Sequence, residues 1–405
     1  MSHSQDVLVL SKRSVGGVRH VAELLRDLGR RPVLVSENPD DINRDACEAQ
    51  VVVDWDGATV DEAVRAVDAA GVTPAGVVNL VDPLVQWQAR LARHYGLPGG
   101  ESAREVLVSK AGVRAEMRRL GLSSLWFDSG RAGTYDTSAV PSYPVVVKPC
   151  VDSGASRLVR RAHGEEQLRL HLRDIVDTAG PDFEIIVEEY VVGVEISIDG
   201  PVIDGEFHGL FCVDKSARDE ERNHDTGMLL SPLPAGAVRA GADAMTGRIS
   251  ALCTDIGLAR SWLHVEARVA EDGSVELIEI NPRVAGGVHP AAIRRTCGID
   301  AVEQMILMAL GEEDAGHLRT VKRNDELVGL VHVEPRDAGV IVDATPLERM
   351  KRLPGVVDGY LWEGFRASSL EHENFFAAFL VSGNSEAALR EAAARVLSEF
   401  SFRVE

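Results

Sequence analysis

The sequence lacks long apolar runs. No stretch of 18 or more uncharged apolar residues occurs in its 405 residues, and the opening MSHSQDVLVLSKR has no long apolar core of the kind found in signal peptides. We therefore expect a cytoplasmic protein that does not act at a membrane. With 45% hydrophobic and 26% charged residues, the chain has the composition of a globular protein of two or three domains.

Positive charge is scarce too. The 43 basic and 63 acidic residues give a formal net charge of −20, which repels nucleic acid, so an anionic substrate needs a local positive site. The five cysteines form no CxxC pair, which argues against a zinc site or a disulfide framework. Only six basic residues are lysine, whose compact ammonium suits a phosphate, and this scarcity draws attention to Lys110 and Lys148.

Two common nucleotide-binding signatures are absent. The chain contains neither GxxxxGK[ST] nor GxGxxG, so any nucleotide site must be of another type. Lys148 ends the apolar run VVV and is followed by Asp152 and the loop Ser153-Gly154-Ala155-Ser156. The strands on either side of this loop, in YPVVVKPCVDSGASRLVRRA, predict an antiparallel hairpin. The backbone N–H groups of such a loop could close over phosphates. A solvated surface lysine is the alternative interpretation.

Alternating apolar runs and helical patterns fill the first hundred residues. The runs DVLVL, RPVLVSE, VVVD and GVVNLVD predict four strands of a parallel, doubly wound domain over residues 1–100. Residues 101–192 and 193–322 mix helices with short strands, which predicts an α+β region of two lobes with a cleft between them. Residues 323–405 end in a strand, helix, strand pattern and are predicted to form a small α+β domain.

The segment HVEARVAEDGSVELIEINPRVAGG, residues 264–287, is the most informative. Asp272-Gly273 lies between two alternating strands and predicts a two-residue hairpin turn, whose register makes Glu266 face Glu279. Opposed carboxylates, with Cβ atoms about 5 Å apart, destabilise a sheet unless something neutralises them. A divalent cation is the obvious candidate, and a surface hairpin with two solvated glutamates is the alternative.

The residues after Glu279 extend this candidate site. A period of two puts Glu279, Asn281 and Arg283 on one face of the strand, while Ile278 and Ile280 point to the other. Carboxylate and amide oxygens suit Mg²⁺. The guanidinium of Arg283 could hold a carboxylate or an acyl phosphate beside the metal.

Two other segments supply candidate binding residues. Glu188-Glu189-Tyr190-Val191 follows a buried strand and leads to Glu195; the backbone there could bind adenine and an acidic side chain could take ribose, although an ordinary strand exit is the alternative. The polar segment 218–232 is predicted to be a loop over the cleft, and it contains Glu221 and His224.

Taken in order, these motifs resemble the ATP-grasp superfamily of ligases. The motifs are VVVKP with its Ser/Gly loop, EEYVVGVE, the ExxH loop, HVE and EINPR, and the resemblance covers most of the chain. Within the superfamily the chain is most like the L-amino acid ligases, because EINPRVAGG and the ERNH loop resemble theirs. The resemblance implies an ATP-grasp fold, in which a doubly wound pre-ATP-grasp domain precedes a two-lobed ATP-binding domain and a small C-terminal α+β domain. It also implies an ADP-forming carboxylate-amine ligase that makes an amide through an acyl phosphate. The implied cofactors are ATP and two Mg²⁺, or Mn²⁺, and the implied assembly is a homodimer.

The resemblance assigns roles to individual residues. The implied ATP-binding set is Lys110, Lys148, Ser153, Gly154, Ala155, Ser156, Glu188, Glu189, Tyr190, Val191 and Glu195. The implied metal ligands are Glu266, Glu279 and Asn281, and the implied catalytic residues are Arg283, His224 and Lys148. The small-molecule acid and amine would contact Asp82, Glu221, His224, Arg283, Gly286 and Gly287. Such ligases often have Glu where this chain has Asp82, so the resemblance leaves open whether the product is a dipeptide or another amide.

Other functions remain open at this point. The chain could be an ATP-grasp enzyme of the purine-biosynthesis or biotin-carboxylase type, which activates formate or bicarbonate, or an ATP-binding protein without ligase activity. The sequence also leaves open whether His224 or Asp82 takes the proton of the attacking amine.

Overall fold

The computed structural model of the chain describes residues 5–12, 17–151, 156–221, 224–371 and 373–405. The predicted phosphate-loop residues Asp152, Ser153, Gly154 and Ala155 lie outside them. No helix in the described ranges combines the length and the apolar character needed to cross a membrane. All five cysteines are free thiols.

The N-terminal sheet is parallel, as predicted. Its strand order is β3-β2-β1-β4. Its elements are β1 (Asp6–Ser11), α1 (Val18–Asp27), β2 (Arg31–Ser36), β3 (Ala49–Val52), α2 (Val60–Ala69), β4 (Pro74–Asn79) and α3 (Val85–His94). β1 is almost wholly buried because both of its faces are covered, with Val7 and Leu8 in different hydrophobic clusters. Asp82 follows the carboxyl end of β4, where open α/β sheets bind ligands.

A four-stranded antiparallel sheet follows. Its order is β5-β8-β6-β7, and the pairing of Val145 with Ala162 confirms the predicted hairpin. The elements are α4 (Ala103–Val108), α5 (Lys110–Arg119), β5 (Phe127–Arg131), β6 (Val145–Pro149), β7 (Arg160–Ala162), α6 (Glu165–Ala179) and β8 (Glu184–Glu189). We call residues 101–192 the small lobe. It places Lys110 at the start of α5 and Lys148 near the end of β6.

In the described residues, a larger sheet of nine strands carries the predicted metal ligands Glu266 and Glu279. We call residues 193–322 the large lobe. Its elements are β9 (Val194–Ile203), β10 (Glu206–Phe207), β11 (Phe211–Asp214), β12 (Arg218–Asp219), β13 (His224–Asp225), β14 (Met228–Ser231), α7 (Ala237–Ile256), β15 (Arg260–Val269), β16 (Val275–Asn281), α8 (His289–Cys297), α9 (Ala301–Leu310) and α10 (Ala315–Thr320). On β15, Val265 and Ala267 enter the core against α7, so Glu266 between them faces the other way.

The strands after residue 323 continue the same sheet. The C-terminal elements are β17 (Leu327–Val333), β18 (Gly339–Val342), α11 (Leu347–Met350), β19 (Val356–Leu361), β20 (Arg366–Ala367), β21 (Ala377–Gly383), α12 (Glu386–Glu399) and β22 (Arg403–Val404). The strand order of the sheet is β16-β15-β9-β11-β14-β17-β21-β19, with β10 beside β9. The prediction of a loop over 218–232 is therefore wrong in part: Met228–Ser231 is β14, which pairs with β17 inside this sheet.

Candidate active site

Glu266 and Glu279 face each other across the hairpin of β15 and β16. The pair is directly opposed in the antiparallel register, with His264 opposite Asn281 two residues further along. Asn281 donates from Nδ2 to Glu279 Oε1 at 2.9 Å, so its amide lies against that carboxylate. Two carboxylates and one amide are thus gathered at one edge of a cavity.

The turn that sets this register differs from the prediction. Ala270 and Ser274 are hydrogen-bonded across the turn, and Gly273 donates to Ala270 O at 2.9 Å, which makes a three-residue loop, 271–273, instead of the two-residue Asp272-Gly273 turn. A three-residue loop alone would shift the pairing by one residue. A β-bulge between Leu277 and Glu279 adds one residue back, so the predicted pairing is restored.

The bulge also changes where one side chain points. Ile278 was predicted to share a face with Ile280, away from the site. Ile280 does enter the core, but Ile278 is the extra residue of the bulge and lines the cavity instead. The prediction for Ile278 is wrong because strict alternation fails at a bulge.

Each of the two carboxylates has a lysine beside it. Lys110 Nζ lies 3.1 Å from Glu279 Oε2, and Lys215 Nζ lies 2.9 Å from Glu266 Oε1. Burial favours the neutral form of Lys215, but Glu266, Asp225 and Glu195 raise its pKa well above the ordinary value. The like charges of the facing glutamates are therefore neutralised within the protein itself.

The two glutamates predicted to bind a metal therefore have ammonium groups next to them. Within the described ranges, no group of three or more His, Cys, Asp or Glu side chains is arranged to hold an ion. The donor types nevertheless fit, because Glu266, Glu279 and Asn281 offer the hard oxygens that Mg²⁺ prefers. Lysine ammonium groups balance the charge that the ion would otherwise balance.

Lys148 and Glu188 form a buried ion pair on adjacent strands. Lys148 Nζ lies 2.6 Å from Glu188 Oε1 and donates to the carbonyl of the bulge residue Ile278 at 3.0 Å. Arg114 Nε donates to Glu188 Oε2 at 2.8 Å. Burial opposes ionisation of Glu188, yet Arg114 and Lys148 lower its pKa to about 2. Lys148 thereby ties the small lobe to β16.

The strand exit after Glu188 lies on the cavity wall. Glu189 is exposed, whereas Tyr190 stacks under Arg161, whose Cζ is 3.9 Å from the ring centroid. Val191 O accepts a hydrogen bond from Arg268 Nη1 at 3.2 Å. Glu189, Tyr190 and Val191 line the cavity together.

Glu195 lies in a buried cluster of charges. Lys215, Arg218 and Arg268 all contact its carboxylate, at 3.0, 2.8 and 3.2 Å. The three cations were not singled out in the sequence. A period of two places Arg268 on the same face of β15 as Glu266, so the sequence pattern could have indicated it. Lys215 could have been singled out because lysine is scarce in the chain.

Arg283 holds Asp82 through a two-point ion pair. Its Nε and Nη2 donate to Asp82 Oδ1 and Oδ2, both at 2.6 Å. The pair joins the residue after β4 to the segment after β16, so two predicted substrate residues meet across the cavity. Burial lowers the pKa of Arg283, but Asp82 and Glu279 raise it above the ordinary value.

The structure does not bring every predicted residue to the cavity. The cavity has a volume of about 540 Å³. The predicted residues that line it are Asp82, Lys148, Ser156, Glu188, Glu189, Tyr190, Val191, Glu195, Glu266, Glu279, Asn281, Arg283, Gly286 and Gly287. Lys110 borders a small adjoining pocket. Glu221 and His224 are not among the lining residues: Glu221 is exposed, 3.8 Å from Arg161, and His224 is buried in β13.

A small antiparallel lobe whose Lys110 reaches a carboxylate of the larger sheet, and whose Lys148 reaches a carbonyl of that sheet, is the arrangement expected of an ATP-grasp protein. Comparison with known proteins agrees, since residues 141–291 match the family described as the ATP-grasp domain. The crystal structure of an L-amino acid ligase from Bacillus licheniformis is similar over 100% of both chains, with a TM-score of 0.79 and 20% identity. The chain therefore carries an ATP-grasp domain and has the ATP-grasp fold, which confirms the predicted superfamily.

Two curated relatives are similar at the sequence level. An uncharacterized protein, y4rH, of Sinorhizobium fredii is 23% identical over 368 residues, which are 88% of this chain and 74% of that protein. Dapdiamide A synthase of Enterobacter agglomerans is 24% identical over 230 residues, or 53% of this chain and 51% of the synthase. The chain thus matches only about half the length of the synthase.

Proposed function

We propose that the chain is an ADP-forming carbon–nitrogen ligase that joins a small-molecule carboxylic acid to an amine. The observation that carries the proposal is the opposed pair Glu266 and Glu279, each with a lysine beside it, at the edge of a cavity that also holds Arg283. Similarity to an L-amino acid ligase and to dapdiamide A synthase supports an amino acid as one substrate.

In this proposal the acid is activated before it meets the amine. The substrate carboxylate attacks the γ-phosphate of ATP and forms an acyl phosphate and ADP; the amine then displaces phosphate and forms the amide. Lys110 and Lys148 neutralise phosphate charge, and Arg283 holds the reacting carboxylate, because phosphoryl transfer depends mainly on positioning and electrostatics. Mg²⁺, held by Glu266, Glu279 and Asn281, would supply further charge neutralisation.

The attacking amine must lose a proton. Asp82 lines the cavity next to Arg283, whereas His224 does not, so Asp82 is the better placed of the two predicted acceptors. Glu188, Glu189, Tyr190 and Val191 would hold adenine, Glu195 the ribose, and Ser156 the phosphates.

A phosphate-release screen tests the function. Purified protein is incubated with Mg-ATP and pairs of amino acids, and then with single acids and non-amino-acid amines. ADP formation that requires both acid and amine supports the ligase. ATP binding without turnover would indicate a non-catalytic protein, and turnover with formate or bicarbonate would indicate a purine-biosynthesis or biotin-carboxylase type. Light scattering after size-exclusion chromatography tests the expected homodimer.

A further inference from the structure

One wall of the cavity is aromatic and comes from the C-terminal strands. Ala378 on β21 pairs with His332 on β17 and with Tyr360 on β19, and directly paired residues share a face. The ring of Phe375 packs edge-on against His332, with centroids 5.6 Å apart. Together with Trp362, these side chains line the cavity. None of the motifs in the sequence pointed to this wall.

A pair of glycines keeps the space beside this wall open. Gly286 and Gly287 follow Arg283 by three and four residues and line the same cavity. Among the described atoms, a Cβ at Gly286 would meet nothing within 4 Å, and one at Gly287 would meet only the Cβ of Ala378, at 3.9 Å. A side chain of a bound molecule can therefore extend from Arg283 over the glycines to the aromatic wall.

Three titratable groups beside this wall, His289, His332 and Glu373, are uncharged near pH 7; His264, whose ring packs against His289, is paired with Asp199. Burial lowers the pKa of His289 to about 4 and lowers that of His332 as well, so both imidazoles are neutral. Burial, and then Asp225, raises the pKa of Glu373 to about 8, which keeps its carboxyl protonated. The cations next to Glu373, Lys215 and Arg218, are both paired within the protein, with Asp225 and with Glu195. A charged substrate side chain at the wall would have to displace an existing ion pair.

We propose that the acid substrate carries an aromatic or branched apolar side chain, which docks between Gly286 and the wall formed by Tyr360, Trp362, Phe375 and Ala378. The inference rests on the proposed function, because Arg283 is taken to hold the reacting carboxylate only three residues before Gly286. The acid is then bound at both ends, its carboxylate by the guanidinium and its side chain by the aromatic wall.

Hydroxylamine separates this inference from the proposed function. It attacks an acyl phosphate to give a hydroxamate and free phosphate, so the acid can be tested without knowing the amine. We expect phenylalanine or leucine to form hydroxamate with a kcat/KM about tenfold or more above that for glycine, aspartate or lysine, because an apolar pocket favours large apolar side chains over small or charged ones. If glycine, aspartate or lysine were the better acid, the inference would be overturned and the ligase would stand. If no acid gave hydroxamate or ADP, both would fall.

Filling the open space provides the second test. Gly286→Leu places a side chain where the acid's side chain is expected, so the ratio of kcat/KM for the apolar acid to kcat/KM for glycine should fall about tenfold. Gly247→Leu is the matched control: Gly247 lies on the exposed face of α7, and its Cβ would also meet nothing among the described atoms. Equal losses for both acids in Gly286→Leu, in a variant that melts like the parent, would reject the pocket.

Discussion

Arg283 and Asp82 are joined by two parallel hydrogen bonds of 2.6 Å, although 201 positions separate them in the chain. The pair is largely buried, with side-chain exposures of 15% and 21%. A planar guanidinium matched to a carboxylate in this way is the strongest form of ion pair. It fixes the N-terminal domain to the segment that carries the proposed active site.

Asp82→Asn is expected to weaken this junction. An amide cannot accept both charged hydrogen bonds, so the free energy of unfolding should fall by about 1–3 kcal/mol, measured by urea denaturation. Asp182→Asn is the control, because the Arg131–Asp182 pair is 63% and 82% exposed and should contribute less than about 1 kcal/mol. Equal losses in the two variants would show that the buried geometry adds nothing.

Glu279→Gln should abolish catalysis and preserve the fold. The substitution keeps the shape of the side chain but removes the charge opposite Glu266, so ADP formation should fall by about 100-fold or more. Glu271→Gln, in the exposed turn of the same hairpin, should be as active as the parent. Near-normal turnover of Glu279→Gln would remove the basis of the proposed metal site.

Metal binding should depend on nucleotide. Lys215 and Lys110 already balance the charges of Glu266 and Glu279, so Mn²⁺ alone must compete with two ammonium groups. We expect calorimetry to show Mn²⁺ binding about tenfold or more tighter with ATP present, since phosphates attract both the ion and the lysines. Lys215→Met should strengthen binding of Mn²⁺ alone, whereas Lys12→Met should not. Unchanged affinity in Lys215→Met would show that the ammonium does not compete.

Glu188→Gln should change acid stability. The folded-state pKa of Glu188 is about 2 against an ordinary 4.5, so its stabilisation is full above pH 4.5 and is lost as the pH falls towards 2. At pH 7 the variant should be about 3–5 kcal/mol less stable, because Lys148 and Arg114 lose a buried partner. The difference between parent and variant should then narrow below pH 4.5. The exposed neighbour gives the control, Glu189→Gln, for which a constant difference near zero is expected.

The sequence predicted the facing glutamates correctly for an incomplete reason. An Asp-Gly pair between alternating strands indicates a turn, but its length depends on the backbone of Gly273, which has a φ of +83° in a three-residue loop. No residue pattern in the sequence indicates the bulge at Ile278, because an alternating apolar pattern does not show which residues are hydrogen-bonded across the strands. The two deviations cancel at Glu266, and a sequence pattern could not have shown this.

Local patterns were sufficient to predict individual strands, helices and one hairpin. The parallel N-terminal strands, the hairpin of β6 and β7 and the closing β21, α12 and β22 all follow from apolar periodicity. Contacts between distant segments left no such pattern. The meeting of Lys215 with Glu266 and the aromatic wall beside Gly286 arise only when strands from three regions enter one sheet.

The pairing of β14 with β17 has a consequence for partial forms of the chain. Four consecutive residues of β14 are paired along β17, so a fragment ending near residue 322 would expose the backbone N–H and C=O groups of β14 as an open edge. Open edges of this kind add strands from other molecules and lead to aggregation. The C-terminal strands therefore protect the rest of the sheet from self-association.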